Sequence, residues 1–296
     1  MLKITHRTNP LINLLAILLI AVFFVFLFPG CNTKGESDTK QSTVYDRVIK
    51  SGKLRAAYIT YPPALMKDTK TGKMSGIFVE ALEKAAENMG LKVEWTEEVG
   101  WGSQIEGLQT DRYDIVGSPV WANPTRGKLT TLSVPIYFSG IGIYVRSNEK
   151  RFVGDWTKIN SSEVKIGTID GETGDLIART DFPEAKRVSL PQLSDISQLL
   201  LEIVNKKSDL AFVEPYFAFE FLKTNKGTLK NIASDHPIRV LGNVYMMKKD
   251  EFQLKQALDI ALQDLLNSGY IDKLVDKYEP EKGLFYRVAI PYRVAK

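Results

Sequence analysis

The spacing of hydrophobic and polar positions changes three times along this chain. From Leu11 to Phe28 every residue except Asn13 is apolar, behind a basic head of Lys3, His6 and Arg7. As a helix, that run is long enough to cross most of a bilayer's hydrocarbon core. Residues 32 to 42 are then polar throughout, with nothing to bury, so 32–43 reads as a flexible tether. From Val44 apolar residues return in short runs and at helical spacing. The ordered body begins there, with an amphipathic helix over Val44 to Ile49 that Gly52 ends.

Strand and helix patterns alternate from that point. Leu54 to Ile59 is predicted as a strand, stopped by Tyr61-Pro62-Pro63, and Gly72 and Gly76 bracket a turn. A helix over Phe78 to Met89 carries its apolar residues at Phe78, Leu82, Ala85, Ala86 and Met89 and stops at Gly90. A strand over Leu91 to Trp95, a short helix over Gln104 to Thr110 and a strand over Tyr113 to Gly117 follow. A second unit starts after Val145-Arg146. It has strands over Val164 to Ile169, Arg187 to Leu190 and Leu210 to Val213, with helices over Gly174 to Arg179, Ser194 to Val204 and Pro215 to Leu222. A strand over Ile238 to Met247 and helices over Glu251 to Leu266 and Gly269 to Tyr278 close the body. Residues 281–296 carry β-type residues and Pro291 but no pattern that places them. This rhythm predicts an α/β fold with two mainly parallel sheets flanked by helices. A chain that leaves one unit and later returns implies two lobes with a two-strand hinge and a ligand cleft between them. A single larger α/β domain is the simpler alternative.

Charge narrows the partners. The 39 Lys and Arg against 35 Asp and Glu give a net charge of +4, which falls to +2 without residues 1–31. No long single-sign block is present, so nucleic acid is not expected as a partner. Cys31 is the only cysteine, so no disulfide framework exists and the body relies on its core. His6 lies in the basic head and His236 sits beside Pro237. With no phosphate loop, dinucleotide fingerprint, calcium loop or Cys/His cluster, no cofactor or metal is expected.

Five segments in order resemble the bacterial extracellular solute-binding proteins, family 3, which serve polar amino-acid ABC transporters. They are Gly52-Lys53-Leu54-Arg55 with Tyr61-Pro62-Pro63, then Gly72 to Leu82, Asp114 to Arg126, Ser133 to Tyr137, and Gly269 to Leu274. Phe28-Pro29-Gly30-Cys31 resembles the cleavage and lipidation box of bacterial lipoproteins, although Phe28 and Pro29 depart from its usual residues. Either lipidated Cys31 or an uncleaved leader would hold the body outside the cytoplasm, on the periplasmic side or outer face of the membrane. The resemblance implies a periplasmic-binding-protein fold with one lobe from 44–142 and 240–280 and the other from 143–239. It also implies a monomer that delivers a small zwitterionic solute to a membrane permease.

The same resemblance nominates a site. Arg126 matches the carboxylate-binding arginine, whose planar fork grips both oxygens. Glu214 matches the acid that receives the ligand's ammonium group, where aspartate is commoner. Thr173 matches a threonine at a helix start whose free amides meet a carboxylate. Tyr61 and Trp101 match the aromatic pair that sandwiches the solute, and Tyr58 stands where some relatives place an acid. Trp121 replaces a small hydroxyl residue, Pro119 lacks an N–H, and Ser118 remains a polar candidate. Glu172 also replaces a small hydroxyl residue, and its charge disfavours acidic ligand side chains. These residues imply a flat, apolar pocket for a zwitterion with an aromatic, apolar or alkylated cationic part. A cyclohexadienyl-type dehydratase on the same scaffold, or a sensory lipoprotein without transport, are the competing readings.

Overall fold

The computed structural model describes residues 43–289. The apolar run from Leu11 and Cys31 lie outside them. Thr43 and Asp46 form a capping box that starts α1 (Val44–Ser51), and Gly52 ends it at φ 69°, a left-handed position that glycine adopts without steric cost. Next come β1 (Lys53–Tyr58), a small hairpin of β2 (Met66–Lys67) and β3 (Met74–Ser75), α2 (Ile77–Asn88), β4 (Lys92–Glu98), α3 (Gln104–Gln109) and β5 (Ile115–Trp121). After β5 come α4 (Pro124–Leu129), β6 (Thr130–Leu132) and the long β7 (Tyr137–Arg146), which carries the chain into the second lobe. That lobe holds β8 (Lys165–Ile169), α5 (Thr173–Asp181), β9 (Lys186–Leu190), α6 (Ile196–Val204), β10 (Leu210–Val213), α7 (Pro215–Thr224) and β11 (Leu229–Asn231). The chain returns along β12 (Arg239–Lys248) and finishes with α8 (Phe252–Asn267) and α9 (Tyr270–Tyr278).

The strand order is β4-β1-β5-β12-β7-β10-β8-β9. The flanks are parallel, β1 with β4 and β5, and β8 with β9 and β10. The middle is antiparallel, because β12 pairs with β5 and β7 and β10 pairs with β7. The protein is thus two-lobed, with mixed sheets joined by β7 and β12. Each flank needs a crossover helix to return the chain in parallel; the two connecting strands run in opposite directions because the chain leaves and comes back.

Every residue of β5 is buried, since β1 and β12 lie on either side and helices cover its faces. The Asp114 carboxylate just before it accepts from the Arg55 amide at 2.9 Å and from Arg55 Nη2 at 2.7 Å, and pairs with Arg47 of α1. One side chain thereby ties α1, β1 and β5 together. Beyond α9, Phe285 is buried against Tyr137, and Tyr286 exchanges both backbone hydrogen bonds with Phe138 of β7. Among the described residues no helix is long and apolar enough to cross a membrane.

Candidate functional site

Three chain turns converge on the crevice between the lobes. Asn123 caps α4 by accepting from the Arg126 amide at 2.9 Å, with Pro124 at the first helical position, where its missing N–H costs nothing. This cap holds Arg126 so that Nη1 donates to the Trp121 carbonyl at 3.0 Å and to Thr173 Oγ1 across the crevice at 3.3 Å. Arg126 is 8% exposed, has no carboxylate within salt-bridge range, and makes no hydrogen bond from Nε or Nη2 among the described residues. Burial pulls its pKa down, opposed by the charge of Glu172. A desolvated cation whose Nε and Nη2 donors are free calls for an anion.

Tyr61, after β1, donates its hydroxyl to Glu214 Oε2 at 2.8 Å, a second link between the lobes. Its ring meets Trp101, Trp121 and Phe217 edge to face, at centroid distances of 5.5, 6.4 and 4.6 Å. Glu214 is 2% exposed at the β10–α7 junction, and its Oε1 has no partner among the described residues. Burial pushes its pKa up to about 8, with the Tyr61 bond opposing and the charge of Glu172 adding. Glu172 caps α5, accepting from the Gly174 amide at 2.6 Å; burial pushes it up to about 7, opposed by that bond and by Arg126.

Tyr61, Trp101, Pro119, Trp121, Arg126, Glu172 and Thr173 line a cavity of about 10 Å³, room for about one water. That is below the usual span for ligand pockets, because the lobes are closed on one another. Gly102 donates its amide to Gln192 Oε1 at 2.9 Å across the crevice. Gly171, at φ 78°, lets the second lobe approach so closely that a Cβ there would lie 2.9 Å from the Gly102 nitrogen.

Two sequence candidates stand apart from this cavity. The hydroxyl of Ser118 accepts from the Ile59 amide at 2.6 Å and donates to the Ile59 carbonyl at 2.9 Å, so it is spent in pinning β1 to β5. Tyr58 faces Leu65, Val79 and Trp95 on the other side of β1, accepting from Lys67 Nζ at 2.6 Å. Phe217 and Gln192 join the crevice without having been nominated. Phe217 lies three residues past Glu214, in the first turn of α7, a spacing that was visible in the sequence. Gln192 reaches Gly102 over ninety residues and had no local signal.

Two buried acids with raised pKa values make ligand-free stability pH-dependent. Each binds its proton more tightly folded than unfolded, so each contributes fully below its ordinary value of 4.5. That contribution is lost as pH rises through about 7 for Glu172 and about 8 for Glu214. Melting temperature without solute is therefore expected to fall between pH 4.5 and 8, and Glu214→Gln to flatten much of the slope. An equal slope in that variant would show that Glu214 is not the group responsible.

Residues 54–281 match the bacterial extracellular solute-binding proteins, family 3. The chain belongs to this family. Over 90 residues it is 36% identical to a probable amino-acid ABC transporter-binding protein of Haemophilus influenzae, a stretch covering 30% of this chain and 34% of that one. The match thus spans about a third of that relative's length. Over 240 residues this solute-binding protein is 25% identical to the cyclohexadienyl dehydratase of Pseudomonas aeruginosa, covering 80% and 87% of the two chains. The crystal structure of an ancestral amino-acid-binding protein, AncCDT-1, described as a precursor of cyclohexadienyl dehydratase, superposes with a TM-score of 0.68. It is 25% identical and covers 80% of this chain and 99% of that one. Among the described residues no group of three or more His, Cys, Asp or Glu is placed to hold a metal ion.

Proposed function

We propose that the cleft binds a small zwitterionic solute, an amino acid or a related amine-carboxylate, and that the protein delivers it to an ABC permease. The observation that carries this is the pairing of a buried Arg126 that forms no salt bridge with a buried Glu214 whose Oε1 is bare, both statements holding among the described residues, and both side chains tied to the aromatic wall of the crevice. Nε and Nη2 of Arg126 take the carboxylate. Glu214 takes the ammonium group and ionises as it arrives, since a nearby positive charge favours the carboxylate form. Tyr61, Trp101 and Trp121 enclose the remainder, with Pro119 and Thr173 completing the wall. Lobes of 44–142 with 240–280, and of 143–239, act as the bodies that open and close, in a monomer tethered through residues 32–43 to a lipid on Cys31.

Calorimetry tests this with L-arginine, L-glutamine, L-cystine, alkylated amines, sugars and inorganic anions. Relatives include L-cystine-binding proteins and arginine-bound structures, which is why these amino acids head the panel. Saturable binding confined to amine-carboxylates is expected; binding only of sugars or inorganic anions would refute the proposal. A dehydratase is the second reading, favoured by one observation: Glu214, pushed up to about 8, is protonated at neutral pH as a general acid must be. Incubation with prephenate is expected to give no turnover, and catalytic product formation would replace the binding reading with the enzymatic one.

A further inference from the structure

The N-terminus of α5 already holds a carboxylate. Ser, Thr, Asp and Asn are the usual N-caps; here Glu172, 6% exposed, folds back on its longer side chain to the Gly174 amide. Its Oε2 lies so close over the helix end that a Cβ on Gly174 would sit 2.8 Å from it. Arg126 arrives at the same end through Thr173 Oγ1, and both residues line the same cavity. A solute carboxylate gripped by Arg126 therefore enters a space where a protein carboxylate holds the amide and repels it.

We infer that Glu172 is a resident competitor of the solute's carboxylate: it fills the amide end of α5 in the empty protein and yields it, by protonation or by swinging out, when solute binds. This rests on the assignment of Arg126 as the carboxylate grip. The charged and titratable groups facing Glu172 are Arg126 from α4, Asp175 on its own helix, Glu214 at the β10–α7 junction and Tyr61 after β1. Asp175 is paired with Arg179 and Arg187. With Glu172 pushed up to about 7, near-neutral pH divides the residue between its competing and yielding forms. Well above that point, a solute that needs the protonated form loses about tenfold in affinity per pH unit.

Glu172→Gln keeps an acceptor for the Gly174 amide without the charge, and Glu172→Ser restores a small cap. With the tightest-binding amino acid of the panel, the ratio of wild-type Kd to E172Q Kd is measured from pH 6 to pH 9. Glu214 titrates in both proteins, so its effect largely cancels in the ratio. The ratio is expected near one at pH 6 and to climb above pH 7 by up to about tenfold per unit, with E172S following E172Q. A flat ratio, or one below one throughout, overturns the inference. The Arg126→Ala variant separates the two claims: unchanged binding there refutes the carboxylate grip, whatever the ratio does. A solute-free arm uses acetate and the Gly174 amide resonance. Acetate is expected to shift it in E172S at pH 8 and in the wild type only below pH 7. An equal response of both proteins at pH 8, or none in either at any pH, counts against competition.

Discussion

Arg126→Ala is expected to remove nearly all solute binding while leaving the fold intact. Truncating one partner of a buried, hydrogen-bonded charge pair costs about 2–5 kcal/mol of affinity, or roughly thirtyfold to several thousandfold in Kd. The stability side has the opposite tendency. In the empty protein Arg126 is a desolvated cation whose pKa burial has lowered, and among the described residues its guanidinium donates only to the Trp121 carbonyl and the Thr173 hydroxyl. Removing it relieves a desolvation cost, so the melting temperature is expected to hold or rise slightly. Arg126→Lys keeps the charge without the fork and is expected to fall between wild type and alanine. Calorimetry beside a thermal melt separates the two effects; wild-type affinity in R126A would remove Arg126 from the site.

Asp114→Ala is expected to do the reverse, lowering stability by about 3 kcal/mol with little effect on the intrinsic affinity of the folded protein. Breaking a buried ion pair from one side costs about 3–5 kcal/mol. The lower end applies here because the side chains of Arg47 and Arg55 are 36% and 31% exposed and rehydrate when released, while that of Asp114 is fully buried. The Arg55 amide also loses its acceptor. For a body of this size the change corresponds to a drop of about 6–12 °C in melting temperature. A shift within a degree or two would mean that α1, β1 and β5 are held together by their apolar contacts alone.

The elements legible in the sequence were those whose signals are local. Leu210 to Val213 is four apolar residues between polar ones and forms β10 over those same residues, all buried. Gly52 and Gly90 both take left-handed angles at the ends of helical segments. The antiparallel middle of the sheet was not legible, because no residue in β7 or β12 states its partner or its direction. α4 has a start signal in Asn123-Pro124, but its six residues carry too little periodicity to stand out from a loop. β5 runs four residues past its predicted end because its ladder with β12 is irregular between Val120 and Val116, and Pro119, which cannot donate, falls in that gap.

The site was legible as a set of residue types and less so as directions. Arg126, Tyr61, Trp101, Trp121 and Thr173 gather round one cavity. Ala56, Ala57 and Tyr58 are all buried, so β1 shows no alternation there to reveal that Tyr58 turns away from it. Glu172 looked like a polar substitution in a turn, and only the fold brings its carboxylate to the helix end beside Arg126. Orientation of this kind depends on contacts far apart in sequence, such as Arg126 with Thr173 and Tyr61 with Glu214.

An amine-carboxylate in the cleft would lie between Arg126 and Glu214. A crystal structure of residues 32–296, purified from the native host with solute still bound, decides whether it does. One small zwitterion is expected, with its carboxylate on Nε and Nη2 of Arg126 and its ammonium on Glu214, between the rings of Tyr61, Trp101 and Trp121. A sugar or inorganic anion in the cleft, or a solute bound away from Arg126, would overturn the assignment of Arg126 and Glu214.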